Sequence, residues 1–187
     1  MHVQGLEVQT RMADRRETDV LASAAAGDEF AFRRIVAEHH DVMRKVCMAI
    51  ADDRSVAEDA TQSAWVIAWQ RLGDVRDAEH LRPWLVTVAA NETKQLLRKR
   101  RRRAEVEVAA DASHVPGGTD PAREPLDIDV RNAMARLDPD DRALLALRYV
   151  AGFDSKELAK AIGISPSGTR NRLERLLKRL REELDHG

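Results

Sequence analysis

Two groups of side chains in this sequence have the types and spacing for binding a polyanion. In the first, Thr87, Asn91, Lys94, Arg98 and Arg101 recur at steps of four, three, four and three, so a helix through them carries one line that turns from polar to basic. That line enters six consecutive basic residues, Arg98 to Arg103, which repel one another unless they meet a polyanion or stay solvated. In the second, Ser167, Thr169, Arg170, Asn171, Arg172 and Arg175 crowd the first turns of another helical stretch, where they could reach base edges and phosphates. A basic run alone is a weak sign, because a solvated helix end has the same composition. Glu58, Asp59, Gln62 and Ser63 form a third, acidic and hydrogen-bonding patch, which alone would be an ordinary solvated face. Nothing points to catalysis: there is no nucleotide-binding loop and no nucleophile–base pair. Cys47 is the only cysteine, so neither an internal disulfide nor a thiolate-pair metal site is possible. His39 and His40 have no partners at ligand spacing, and no metal or other cofactor is expected.

The elements that must position these groups are helices. Over His80–Arg103, Leu81, Leu85, Val88 and Leu96 share one side, widened by Trp84, Ala89 and Leu97, which is the stripe of a helix lying on a core. Pro83 fits its first turn. Upstream, Thr18 is the expected cap of a first helix ended by Gly27. Asp28 then caps EFAFRRIVAEHH, with Phe30, Phe32, Ile35 and Val36 inward, and DVMRKVCMAIA follows as a separate helix, with His39 and His40 between the two. Ser55 and Glu58 have the spacing of a capping box for a helix with Ala57, Ala60, Ala64, Val66, Ile67 and Ala68 inward and Trp65 and Trp69 along one face. Downstream, Val130, Ala133, Met134 and Leu137 mark one helix, and Pro139 opens a second with Leu144, Leu145, Leu147 and Val150. The stretch from Ser155 to Leu184 reads as a helix-turn-helix: Ala159 is small where the helices cross, Gly163 makes the turn, and a Ser-Pro-Ser cap starts the second helix.

Aromatic residues are 4% of the chain, too few for an all-β fold. No run approaches the length of a membrane span, and residues 1–13 have no apolar core of a signal peptide, so a cytoplasmic protein is expected. The net charge is −1, yet it divides into +2 over 1–103, −6 over 104–130 and +3 over 131–187. The acid is thus gathered in the middle, where periodicity stops and AEVEVAADASHVPGGTDPAREPL reads as a flexible linker. Fully extended it would reach roughly 75–80 Å. The expected organisation is a disordered tail over 1–16, with Met12 a second possible start, a helical domain over 17–103, a linker over 104–126 and a helix-turn-helix domain over 127–187.

In this order, AEDATQSAWVIAW (57–69), RPWLVTVAAN (82–91), LLRKRRRR (96–103) and ARLDPDDRALLALRYVAGFDSKELAKAIGISPSGTRNRLERLLKRLREEL (135–184) resemble regions 2 and 4 of bacterial RNA polymerase sigma factors, in the short two-domain form of the extracytoplasmic-function group. The resemblance implies an all-α protein of two small domains that directs core polymerase to promoters. It implies that Glu58, Asp59 and Gln62 face the β′ clamp helices, with the second domain on the β flap. It implies that the Gly73–Leu81 loop with Asn91 captures a base flipped from the −10 strand, while Lys94, Arg98, Arg101 and Arg102 hold nearby phosphates. Extruding a base costs a few kcal/mol, about what a polar pocket beside fixed cations offsets. Ser167, Thr169, Arg170, Asn171, Arg172 and Arg175 are implied readers of the −35 element. An anti-sigma partner is implied as well. The chain departs from the family at Ala90, where Arg is frequent, at Gln95 and Ser63, where Asp and Glu are, and at Thr169, where an aliphatic residue is usually buried; promoter sequence therefore does not transfer from relatives. The competing possibility is a stand-alone helix-turn-helix regulator whose first domain senses a signal or dimerises. It would bind duplex tightly without polymerase.

Overall fold

The computed structural model describes residues 16–108 and 125–185; the expected tail, up to residue 15, and the central part of the expected linker, 109–124, lie outside them. The chain order is α1 (16–25), α2 (Glu29–Ala51), α3 (Arg54–Arg71), a 3-10 turn (Leu72–Asp74), α4 (Ala78–Val108), α5 (Pro125–Ala135), α6 (Pro139–Leu145), a π-helical turn (Ala146–Val150), α7 (Ser155–Ile162) and α8 (Pro166–Asp185). Among the described residues there is no strand.

Helices α2, α3 and α4 pack on one another in all three pairings. Their core takes Ile35, Met43, Val46 and Ile50 from α2 and Leu81, Leu85 and Val86 from α4. From α3 it takes Val56 and a row of small side chains, Ala57, Ala60, Ala64 and Ala68, whose spacing of three and four makes a smooth seam that brings neighbouring backbones close. Full burial of a side chain such as Leu85 contributes about 2–3 kcal/mol. Polar atoms in this core are satisfied locally. The Thr61 and Thr93 hydroxyls donate to the carbonyls of Ala57 (2.7 Å) and Ala89 (2.8 Å), one turn back on their own helices. Between them Cys47 lies fully buried, its thiol pushed up in pKa by burial.

Several local expectations change. Glu29–Ala51 is one 23-residue helix rather than two, because nothing between His40 and Asp41 breaks it; Asp41 is held on the helix surface by Lys45 (2.7 Å). Asp28 caps it as expected, accepting from the amides of Phe30 and Ala31. Phe30, expected inward, is 77% exposed, since the inward line of the helix starts at Ala31 and continues through Ile35. The cap of α3 is Asp53, accepting from the Val56 amide, not Ser55. Glu58 instead pairs with Arg54 at 2.8 Å. Pro83 stands one turn deeper in α4 than expected, where it removes the amide that would donate to Glu79. Helix α4 also runs past Arg103 to Val108, because Arg101 and Glu105 form an i,i+4 pair at 2.9 Å.

The second half is built on Leu137, Leu144, Leu145, Leu147, Phe153, Leu158 and Leu176. Asp138 caps α6, with Pro139 at its first position. Helix α7 starts at Ser155 as expected, and Asp154 caps it in a reciprocal capping box with Glu157. Gly163 closes α7 at φ +73°, a left-handed turn that glycine adopts without strain. It lets Ile162 and Pro166 belong to helices that cross over buried Ala159. Val150, expected in the core, is part of the exposed end of the π-helical turn, whose bonds reach back five residues from Ala151 to Ala146 and so rotate the side chains out of α-helical register.

The two halves pack together: α6 and the π-helical turn lie on α2 and α4. Arg131 donates to Asp52 at 2.8 Å and Arg82 donates to the Ala151 carbonyl at 2.7 Å across this junction.

Candidate nucleic-acid and polymerase interfaces

Helix α4 places its polar line on the outer surface of the bundle because the apolar stripe of the same helix is held inside. Asn91 and, farther along, Arg101 and Arg102 are exposed. The middle of the line is occupied. Lys94 Nζ lies 3.2 Å and an Arg98 terminal nitrogen 2.9 Å from the two carboxylate oxygens of Asp140 on α6. The Lys94 side chain keeps only 16% of its exposure. Partial burial pushes the Asp140 carboxyl up, but Lys94 and then Arg98 more than offset this and hold its pKa below the usual carboxylate value. Arg100 turns to Asp53 at 2.7 Å. Lys99, Arg102 and Arg103 have no carboxylate partner among the described residues. The loop expected to take a flipped base forms, with α4 and α7, a cleft of about 700 Å³ whose lining includes Asp74, Asp77, His80, Thr87 and Lys156. Asn91 is not in that lining.

Helix α8 starts on Ser165, whose hydroxyl accepts from the Gly168 amide at 3.1 Å. Ser167, Arg170, Asn171 and Arg175 are exposed on its outer side, with Arg175 donating to the Asn171 carbonyl at 3.3 Å. Thr169 is 1% exposed and its hydroxyl donates to the Ser165 carbonyl at 3.0 Å. Its place on the inward side of the first turn removes it from the set of base readers. Arg172 is also differently placed: its Nε and a terminal nitrogen sit 3.0 and 2.7 Å from one oxygen of Asp141. Arg179 approaches the other oxygen at 3.5 Å. Asp141 is buried, so this fork ties α8 to α6.

On α3, Asp59 and Gln62 are exposed. Val66, 57% exposed, and Trp69, 42% exposed, continue their line at steps of three, four and three, adding an apolar half that the sequence reading missed for Val66. The signal was present, since four residues past Gln62 is the same helical face. Trp69 and Trp65 do not stack on each other; both meet the Phe32 ring edge-on, at 4.8 and 5.7 Å between centroids. The Trp65 indole donates to His40 Nδ1 at 3.2 Å. His39, by contrast, is buried, and its pKa is lowered by that burial. Among the described residues no cluster of three or more potential metal ligands occurs, and no helix is long and apolar enough to cross a membrane.

The comparisons with known proteins cover both halves. The family model for sigma-70 region 2 matches residues 35–103, and that for sigma-70 region 4 matches residues 127–180. A probable RNA polymerase sigma factor, RfaY of Xanthomonas campestris pv. campestris, is 33% identical over 174 residues, which is 88% of this chain and 43% of that protein. RNA polymerase sigma factor CarQ of Myxococcus xanthus is 29% identical, over 84% of this chain and 91% of its own. The extracytoplasmic-function sigma factor SigL of Mycobacterium tuberculosis is also 29% identical, over 86% and 93%. Among solved structures, CnrH in complex with the cytosolic domain of CnrY superposes with a TM-score of 0.67 at 25% identity, over 91% of this chain and 97% of that one. RpoE in complex with the anti-sigma factor NepR from Bartonella quintana shares the fold, with a TM-score of 0.68 at 23% identity. With both regions present in this order on one chain, the protein belongs to the sigma-70 family, in the extracytoplasmic-function group of RNA polymerase sigma factors.

Proposed function

We propose that this chain confers promoter specificity on core RNA polymerase by dividing three tasks among three helices. The exposed face of α3, with Asp59, Gln62, Val66 and Trp69 and Glu58 at its edge, docks on the β′ clamp helices; an apolar strip beside carboxylates gives both buried area and orientation. The α4 line, from Asn91 through Lys94 and Arg98 to Arg101 and Arg102, grips the −10 strand, with the cations on phosphates. The outer side of α8, with Ser167, Arg170, Asn171 and Arg175, enters the major groove at the −35 element, while Arg172 holds α8 to α6. The second domain also meets the β flap. The chain acts in the cytoplasm, without catalysis or cofactor of its own, and an anti-sigma protein restrains it, as the complexes of CnrH and RpoE are with such partners or a cytosolic fragment.

The observation that carries this assignment is the pairing of a cationic helix line with a helix-turn-helix on one chain that matches sigma-70 regions 2 and 4. A stand-alone regulator is not favoured, because the first half matches sigma-70 region 2 and the second half sigma-70 region 4, in that order. Mixing the purified chain with core polymerase should give one co-eluting complex that produces run-off transcripts from promoter fragments. Promoter-length transcripts from core enzyme alone, or no complex after removal of any bound inhibitor, would refute the assignment.

A further inference from the structure

The carboxylate of Asp140 lies in the first turn of α6 but does not cap it. Asp138 already caps α6, accepting from the amides of both Asp140 and Asp141 at 2.9 Å. The Asp140 side chain instead points across the junction between the halves and gives one oxygen to Lys94 and the other to Arg98. An anionic group with two oxygens, held between an ammonium and a guanidinium at 2.9–3.2 Å, reproduces the contacts that a nucleic-acid phosphate makes. Lys94, at 16% side-chain exposure, has too little open surface to meet a strand while α6 is in place. The ends of the α4 line, Asn91 and Arg101, remain open.

We propose that Asp140 is an internal stand-in for a DNA phosphate: it latches the second domain onto the strand-gripping line of α4, and single-stranded DNA opens the two halves by taking Lys94 and Arg98 from it. This rests on the assignment of those two cations to phosphates. Because one pair of cations serves both anions, DNA binding and domain closure compete, and each weakens the other by the same factor. The junction has further contacts, Arg131 with Asp52 and Arg82 with the Ala151 carbonyl, so losing the latch shifts the balance between closed and open forms without abolishing the closed one.

The test uses the full chain and a fluorescein-labelled single-stranded oligodeoxynucleotide of mixed sequence, read by anisotropy, with small-angle X-ray scattering for domain separation. Asp140→Asn should tighten binding about three- to tenfold, the range expected if the competent form is a minor fraction of the wild type. The same substitution in a chain already carrying Lys94→Ala and Arg98→Ala should produce almost no gain. An equal gain in both backgrounds identifies a general effect of removing a negative charge and overturns the latch, as does no gain in either. Within the Asp140→Asn background, Lys94→Ala with Arg98→Ala should weaken binding; if it does not, the phosphate assignment itself has failed. The Lys94→Ala, Arg98→Ala chain leaves α6 untouched and guards against misfolding: its radius of gyration should rise as that of Asp140→Asn does, and unchanged radii in both contradict the latch.

Discussion

Arg170 and Arg172 are two residues apart on α8, yet their surroundings assign them opposite consequences on replacement. Arg170 is exposed, with no acidic partner among the described residues. Its replacement by Ala should leave stability within about 0.5 kcal/mol, while the slope of log affinity against log salt for −35 duplex falls by about 0.9, one phosphate contact. Between roughly 50 and 200 mM salt that slope is a factor of about 3.5 in affinity. Arg172 has two short bonds to buried Asp141. Removing one partner of a fully buried pair costs about 3–5 kcal/mol. The Arg172 side chain is 35% exposed and Arg179 remains near Asp141, which reduces the expected cost of Arg172→Ala to about 2 kcal/mol. Its salt slope should stay at the wild-type value. Urea denaturation of the free chain gives the first quantity, and anisotropy of labelled −35 duplex with the polymerase-assembled chain, over a salt series, gives the second. If Arg172→Ala lowers the slope as Arg170→Ala does and leaves the urea midpoint unmoved, the anchoring role of Asp141 is wrong.

Three further outcomes follow from the geometry. Leu85→Ala empties a fully buried position between α4 and its neighbours and should cost about 2–5 kcal/mol by urea denaturation; a loss under 1 kcal/mol, on the order of a surface change, would mean the core is not packed as described. Val66→Glu, on the exposed face of α3, should leave the urea midpoint unchanged while weakening association with core polymerase at least about tenfold, a loss of about 1.4 kcal/mol; equal association would move the docking face elsewhere. His39 has its pKa lowered by burial, so the folded chain binds this proton less readily than the unfolded chain. Stability from this group is therefore complete above the unfolded value near 6.5 and declines as pH falls below it toward the folded value. His39→Gln should flatten the pH dependence of the urea midpoint between about pH 7.5 and pH 5.5, and an identical profile would assign that dependence to other groups.

The helices and their order were legible because apolar periodicity is a local property, and so was the cationic line on α4, which depends only on the angle between successive residues. Asp28 and Gly163 could be assigned for the same reason, being punctuation that acts within a few residues. What could not be read was anything set by contact across the chain. Asp140 and Asp141 resemble helix-start acids; their carboxylates hold Lys94 and Arg98 on one side and Arg172 on the other, with Arg98 42 residues from Asp140 and Arg172 31 residues from Asp141. Thr169 stands in a basic cluster; the family resemblance marks its position as one that is usually buried, and the packing of α8 places it inward. Glu29–Ala51 is a single helix through His39, His40 and Asp41, since none of the three disrupts a helix as Pro or Gly does. Val66 is apolar yet points outward, because the inner side of α3 is filled by Val56, Thr61 and the alanine seam.

The most direct test of the central claim is sequencing of RNA 5′ ends made in vitro on the host's genomic DNA by core polymerase with and without this chain. The expected result is a discrete set of start sites that appears only with the chain, preceded by two common elements at fixed spacing, and that is lost with Lys94→Ala and Arg98→Ala. The contradicting result is an unchanged set of 5′ ends while the chain alone binds duplex tightly.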